Sequence, residues 1–310
     1  MVETMQTEPG ATPTATAPAD AATQAATPAR TVYLNGDFLP SDRATISVDD
    51  RGFLFGDGVY EVTRVLRGRT VEPGRHRQRL ERGLRALAIG MTTAELDALD
   101  GVAERLIRDN GLADADAMIY LQVTRGAAFP RTHQFPSPDT RPTVYLSAAT
   151  VPDRTELRAR GAAAITVPDV RWARCDLKTV NLLPNALARQ QAAVAGVYEA
   201  LFVRDGVLLE GSQTNLFAVI DGELRTAPQS NYILPGVTRD VVLEVARSAG
   251  VHVREFPILA DEIPRATELF VTSTTSDVMP IVRLDGKPIG DGHPGIVTGQ
   301  LHAGFMERIS

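Results

Sequence analysis

Cys175-Asp176-Leu177-Lys178-Thr179-Val180-Asn181-Leu182-Leu183 carries one of only two lysines in a chain of 310 residues. The chain has 32 basic residues, and with Lys287 the only other lysine, arginine supplies nearly all the positive charge. In such a chain a remaining lysine points to chemistry that guanidinium cannot perform: losing a proton and attacking a carbonyl. Lys287 sits in Asp285-Gly286-Lys287-Pro288, a turn-like run where solvent exposure accounts for it. Lys178 lies among apolar neighbours and is the first catalytic candidate.

The flanks of this run predict an α+β chain of two α/β units. Residues 1–30 are rich in Ala, Thr and Pro and have no apolar periodicity, so they read as a disordered tail. The tail lacks the pattern of a secretory signal and makes a poor mitochondrial presequence; the single cysteine, Cys175, suits a reducing cytoplasm. A smaller unit spans 31–150. It holds a hairpin turning at Asn35-Gly36, a helix over Arg75–Leu87, and a helix opened by a Thr92/Glu95 capping box. Strands are expected at Ala117–Thr124 and Thr143–Ala148. The polar run 151–161 reads as the linker, and 162–310 as the larger unit. There, hairpins turn at Asp205-Gly206 and Asp221-Gly222, helices run over 184–196 and 238–248, and a last helix closes the chain. A ligand cleft is expected between the units.

Composition narrows the function classes. Hydrophobic residues make up 44% and charged residues 23%, ordinary for a soluble fold. The net charge of −6 argues against a general nucleic-acid or anionic-membrane binder, and no apolar run is long enough to span a bilayer. A single cysteine, Cys175, excludes an internal disulfide and a cysteine-based zinc cluster, and no metal site is expected.

Three runs of the larger unit suit a cofactor bearing a phosphate and an aromatic ring nitrogen. Ile233-Leu234-Pro235-Gly236-Val237-Thr238-Arg239 turns from a strand end through glycine into a helix, whose free amides and dipole favour a phosphate. On this run alone, Thr238 serving merely as a helix cap stands as the alternative. Val271-Thr272-Ser273-Thr274-Thr275-Ser276 offers hydroxyls that complete a phosphate cup or simply line a turn. Leu209-Glu210-Gly211 places an acid at a strand end, where burial would demand a proton-bearing partner. In the smaller unit, three glycines in Asp50–Val62 bring Tyr60 towards a cleft without G-x-G-x-x-G spacing. Arg125–Pro136 carries Arg131 and His133 in a loop that clamps a carboxylate or is simply solvated.

Together these runs resemble the class IV, or fold-type-IV, aminotransferases, which use pyridoxal 5'-phosphate (PLP), and among them the bacterial D-amino-acid transaminases. The resemblance spans about Val32–Met306 and rests on Asp50–Val62, Val123–Pro136, Asp169–Ala192 and Glu268–Ser276. It implies that Lys178 holds PLP covalently and moves the substrate α-proton, with Glu210 paired to the ring nitrogen. Arg79, Val237, Thr238 and Thr274 would bind the phosphate, with Leu234 and Ser273 also at the cofactor. Tyr60, Arg131, His133 and Thr275 would bind substrate, Arg131 and His133 being supplied by the other subunit of a homodimer. The loop before Arg131 is one residue longer than the family form, and the N-terminal tail lies outside every matched run. The implied reaction moves an amino group between D-amino acids and 2-oxo acids, such as D-alanine and 2-oxoglutarate, by a ping-pong cycle through pyridoxamine phosphate. Branched-chain L-aminotransferase, (R)-amine transaminase and aminodeoxychorismate lyase are the alternatives within the fold. An inactive binding protein is the alternative outside catalysis. Arg131-Thr132-His133 and Tyr60-Glu61-Val62 favour the D-amino-acid reading, because those relatives build their carboxylate sites differently.

Overall fold

The computed structural model describes residues 29–310; nearly all of the expected disordered tail lies outside the described residues. The first sheet has six strands: β1 (Thr31–Leu34), β2 (Asp37–Pro40), β3 (Gly58–Leu66), β4 (Arg69–Thr70), β5 (Asp116–Thr124) and β6 (Thr143–Thr150). They pair antiparallel in the order β2-β1-β6-β5-β3-β4. The β1–β2 hairpin turns at Asn35-Gly36 as its sequence demands, both residues taking positive φ. Helices α1 (Arg51–Phe55), α2 (Pro73–Ala86) and α3 (Thr93–Asp109) accompany this sheet. Leu80, Leu84, Leu96, Leu99, Ala103 and Leu106 recur at helical spacing and bury one face of α2 and α3 against it. The Thr92/Glu95 capping box forms, with the Glu95 amide 3.2 Å from Thr92 Oγ1.

Two local elements differ from expectation. Within the glycine-bearing run, Arg51–Phe55 forms a one-turn helix that the sequence reading did not include, because Asp50 Oδ1 accepts the amides of Gly52 and Phe53. The run 151–161 contains α4 (Thr155–Arg160), started by the Asp153 carboxylate accepting the Thr155 amide at 2.9 Å. None of the residues of α4 is fully buried, so no apolar stripe announced it.

The second sheet has ten strands. They are β7 (Ala162–Pro168), β8 (Glu199–Arg204), β9 (Val207–Gly211), β10 (Asn215–Ile220), β11 (Glu223–Thr226), β12 (Val253–Glu255), β13 (Ile258–Leu259), β14 (Ala266–Ser273), β15 (Asp277–Leu284) and β16 (Lys287–Pro288). The order runs β12-β11-β10-β14-β15-β7-β8-β9-β13, with β16 beside β15. One further pairing, Asn215 with Glu210, joins β10 back to β9 and closes six strands into a barrel. Leu201, Leu208, Leu216, Val271, Met279 and Ile281 share the core of this sheet. Helix α5 (Leu183–Val194) covers β7 and β8, while α6 (Val237–Ser248) and α7 (Ile296–Ile309) cover β10 and β14 over the stacked rings of Phe217 and Phe270. Among the described residues, no helix is long and apolar enough to cross a membrane.

Candidate active site

A cavity of about 760 Å³ is lined from both sides of the molecule, by Tyr60 and Arg79 with the first sheet and by Lys178, Glu210, Thr238 and Thr274 with the second. Lys178 is placed by a tertiary pairing. Its segment runs antiparallel to the start of β3: the Tyr60 amide donates to the Lys178 carbonyl at 2.9 Å, and the Val180 amide to Gly58 at 3.1 Å. Leu177 and Cys175 are buried beside it, and the ammonium stands 4.2 Å from the centre of the Tyr60 ring. Cys175 is no nucleophile here, because burial pushes its thiol up to about 11.

Glu210 is the penultimate residue of β9 and forms the barrel-closing pair with Asn215. It accepts hydrogen bonds from the Leu234 amide and Asn215 Nδ2, each at 3.0 Å, and pairs with the Arg171 guanidinium. Complete burial pushes its carboxyl up to about 7 against the pull of Arg171 and the amide. Asp169 orients Arg171, accepting from Nε at 2.9 Å, and the guanidinium lies over the Phe202 ring. Arg171 and Asn215 were not singled out from sequence; the only signal for Arg171 was its place inside the run Asp169–Ala192.

Arg79 projects from α2 and is fixed at the start of α6. Its Nη1 donates to the Pro235 carbonyl at 3.1 Å, while Nε and Nη2 grip the two oxygens of Glu61 at 2.7 and 2.8 Å. His76 Nδ1 lies 2.9 Å from the same carboxylate. Burial alone would raise the Glu61 carboxyl, but Arg79 and His76 outweigh it and hold the group at about 2. The carboxyl is thus depressed from its ordinary 4.5 in the folded state. Its contribution to stability is complete above pH 4.5 and is lost as pH falls towards 2. Glu61→Gln is therefore expected to cost on the order of 3 kcal/mol above pH 5. In thermal unfolding followed across pH, the gap in melting temperature from wild type should close as pH approaches 2. A gap independent of pH would show that the pair is not ionic.

The start of α6 is open. Gly236 is its N-cap and provides no side-chain cap, and Thr238 lies inside the first turn, so its hydroxyl is not the cap. The first-turn amides of Val237 and Thr238 remain for an anion. Gly236 is required, since a Cβ there would lie 2.0 Å from Asn215 Oδ1. On the cavity wall, Thr272 Oγ1 is buried without a hydrogen-bond partner among the described residues.

The structure brings Tyr60, Arg79, Lys178, Glu210, Leu234, Val237, Thr238, Ser273 and Thr274 to one cavity. Arg131 and His133 do not line it. They are exposed on a loop packed on the Phe55 ring, and Arg51 holds that loop by the Thr132 carbonyl at 2.7 Å. Thr275 is half-buried and also lies outside the cavity wall. Among the described residues, no group of three His, Cys, Asp or Glu side chains is arranged to hold a metal. The set includes an amine, a buried carboxylate near neutrality, and a cationic helix start with hydroxyls. These groups fit a cofactor with a carbonyl, a basic ring nitrogen and a phosphate.

The profile of the family described as amino-transferase class IV matches residues 58–284. The chain is 37% identical over 280 residues to the D-alanine aminotransferase of Staphylococcus haemolyticus, covering 90% of this chain and 97% of that one. It is 35% identical over 278 residues to the D-alanine aminotransferase of Staphylococcus epidermidis, with the same coverage. Among solved structures, it resembles the T.th. branched-chain amino acid aminotransferase complexed with N-(5'-phosphopyridoxyl)-L-glutamate. That TM-score is 0.78 at 28% identity, over 90% of this chain and 93% of that one.

Proposed function

From the premise that this chain belongs to the class IV aminotransferases, a PLP-dependent group of transferases, we propose that it moves amino groups between D-amino acids and 2-oxo acids. D-Alanine and 2-oxoglutarate are the typical pair. The observation that carries this reading is the convergence of Lys178, buried Glu210 and the Arg79-anchored α6 start on one cavity. The likeness to D-alanine aminotransferases over 90% of the chain supplies the choice of D-substrates.

PLP, when bound, supplies an electron sink for the charge left on the substrate α-carbon as its proton departs. The residues of the chain do the rest. Lys178 would hold the cofactor covalently and, once the substrate amine displaces it from that bond, its freed Nζ would take the α-proton and return it. Glu210, already short of solvation, would keep a proton at the ring nitrogen by supplying the opposite charge. Arg79, the Val237 and Thr238 amides and the Thr238 and Thr274 hydroxyls would hold the phosphate. Tyr60 lies against Lys178 and orients the substrate.

The reading includes a homodimer in which Arg131 and His133 reach the cavity of the partner subunit and bind the α-carboxylate with Tyr60; Thr275, which lies outside the cavity wall, is not part of it. The exposed Phe53, Phe129, Phe135 and Leu183 support such an interface, because apolar side chains of this size call for cover. The cytoplasm suits a chain with a single cysteine.

Initial rates for D- and L-alanine, D- and L-leucine and a primary (R)-amine, against one oxo acid, test the assignment. D-Alanine should react fastest and the amine poorly. Arg131→Ala should weaken D-alanine and 2-oxoglutarate roughly 10- to 100-fold, the scale of a lost charge-assisted pair, while PLP binding holds. A second reading, branched-chain L-aminotransferase, is favoured by the likeness to the T.th. branched-chain structure. Faster turnover of L-leucine would select it.

A further inference from the structure

Behind the α6 start lies a second, small cleft whose walls include Arg64, Thr238 and Thr274. Thr238 and Thr274 also line the large cavity, so Arg64 of β3 stands on the far side of the two hydroxyl residues assigned to the phosphate. Its guanidinium is buried and fully engaged. Two of its nitrogens donate to Asp116 at 2.8 and 2.5 Å, and the third pairs with Asp277. Asp277 opens β15, directly after Ser273-Thr274-Thr275-Ser276. Its other oxygen accepts from Arg158 of α4 at 3.2 Å, and Arg158 also donates to the carbonyls of Ser276 at 3.1 Å and Val278 at 3.2 Å. The hydroxyls of Ser273 and Ser276 close the turn at 2.6 Å.

Asp277 holds a φ of +56°, a left-handed conformation that aspartate and asparagine adopt more readily than other non-glycine residues. His302 of α7 adds no charge to the cluster, since burial, with Arg158 and Arg64 close by, holds its imidazole down to about 4. The cluster therefore balances two arginines against two aspartates. A buried pair of this kind adds little net stability, because desolvation offsets its attraction, but it specifies one geometry.

We propose that Arg64 and Asp277 are positioning residues for the cofactor phosphate: their ion pair, reaching across from the first sheet, holds the Thr274 turn in binding register against the α6 start. Neither residue lines the large cavity. Pre-setting the hydroxyls and amides before the anion arrives lowers the ordering cost of binding it. The inference rests on the assignment of the phosphate to Arg79, Thr238, Thr274 and the α6 start.

Pyridoxal, which lacks the phosphate, separates this role from simple fastening of the two sheets. The full chain freed of cofactor is titrated with PLP and with pyridoxal, binding being followed by absorbance. Asp277→Asn preserves shape and tolerates positive φ. It is expected to weaken PLP about tenfold while leaving pyridoxal within about twofold. Equal losses for both ligands, or no loss for PLP, would overturn the proposal. Should Asp277→Asn fail to fold, Arg64→Lys, which keeps the charge and loses the fork, is read by the same ratio. Thr274→Val serves as the control for the underlying assignment. If it does not separate PLP from pyridoxal, the phosphate lies elsewhere. If it does and Asp277→Asn does not, the positioning role alone fails.

Discussion

Lys178→Ala is expected to abolish transamination, with a fall in rate of roughly ten-thousand-fold or more. Two functions disappear with one side chain: the covalent anchor for the cofactor and the base at the substrate α-carbon. No neighbour can replace it. Lys287, the other lysine of the chain, is exposed beside the β15–β16 turn, and arginines do not lose a proton at working pH. The fold should survive, because Lys178 is only half-buried and its backbone, not its ammonium, pairs with β3. Single-turnover rates with D-alanine give the first measurement. Borohydride treatment followed by mass analysis gives the second, with the cofactor retained on wild type and absent from the variant. Near-native turnover together with retained covalent cofactor would assign the anchoring role to another residue.

Glu210→Gln should bind PLP and lose about a hundredfold in rate, the scale of one electrostatic contact to developing charge. An amide still accepts from the Leu234 N–H but no longer stabilises a proton on the ring nitrogen. Arg171 keeps Asp169 as a partner after the change, so the variant does not bury an unpaired cation. The measurement is kcat alongside PLP affinity. A large loss of affinity with unaltered kcat would indicate that Glu210 supports the cavity wall without facing the ring nitrogen.

The legible parts of this protein are those written in short range. The Asn35-Gly36 hairpin, the Thr92/Glu95 capping box and the helix from Val237 each follow from neighbouring residues, and the structure forms all three. Lys178 and Glu210 were visible because a rare lysine and a strand-end acid stand out against their surroundings. Glu61 drew no separate notice, since an acid in a strand flanked by apolar residues has an ordinary solvated reading. Its bond to Arg79 spans 18 positions and exists only once α2 lies on β3. Arg171 was hidden in the same way, as one arginine among many, until β8 and β9 placed Phe202 and Glu210 beside it.

The sequence by itself determined the chemistry: an amine, an acid, a glycine-turned helix start and clustered hydroxyls, each encoded by residue type and local spacing. It also determined the longer helices and the hairpins, though not the short α1 and α4, because capping, turn chemistry and apolar periodicity act within a few residues. Only the tertiary structure decided how those groups meet. The Glu210–Asn215 pairing closes the barrel, the Lys178 segment pairs across to β3, and Arg64 reaches Asp277 over 213 positions. Such contacts form when distant strands and helices bury their faces together. Burial then turns ordinary charges into perturbed ones, raising the Glu210 carboxyl while ion pairing depresses that of Glu61. No window of neighbouring residues contains that information, because the field at each group comes from elements far away in the chain.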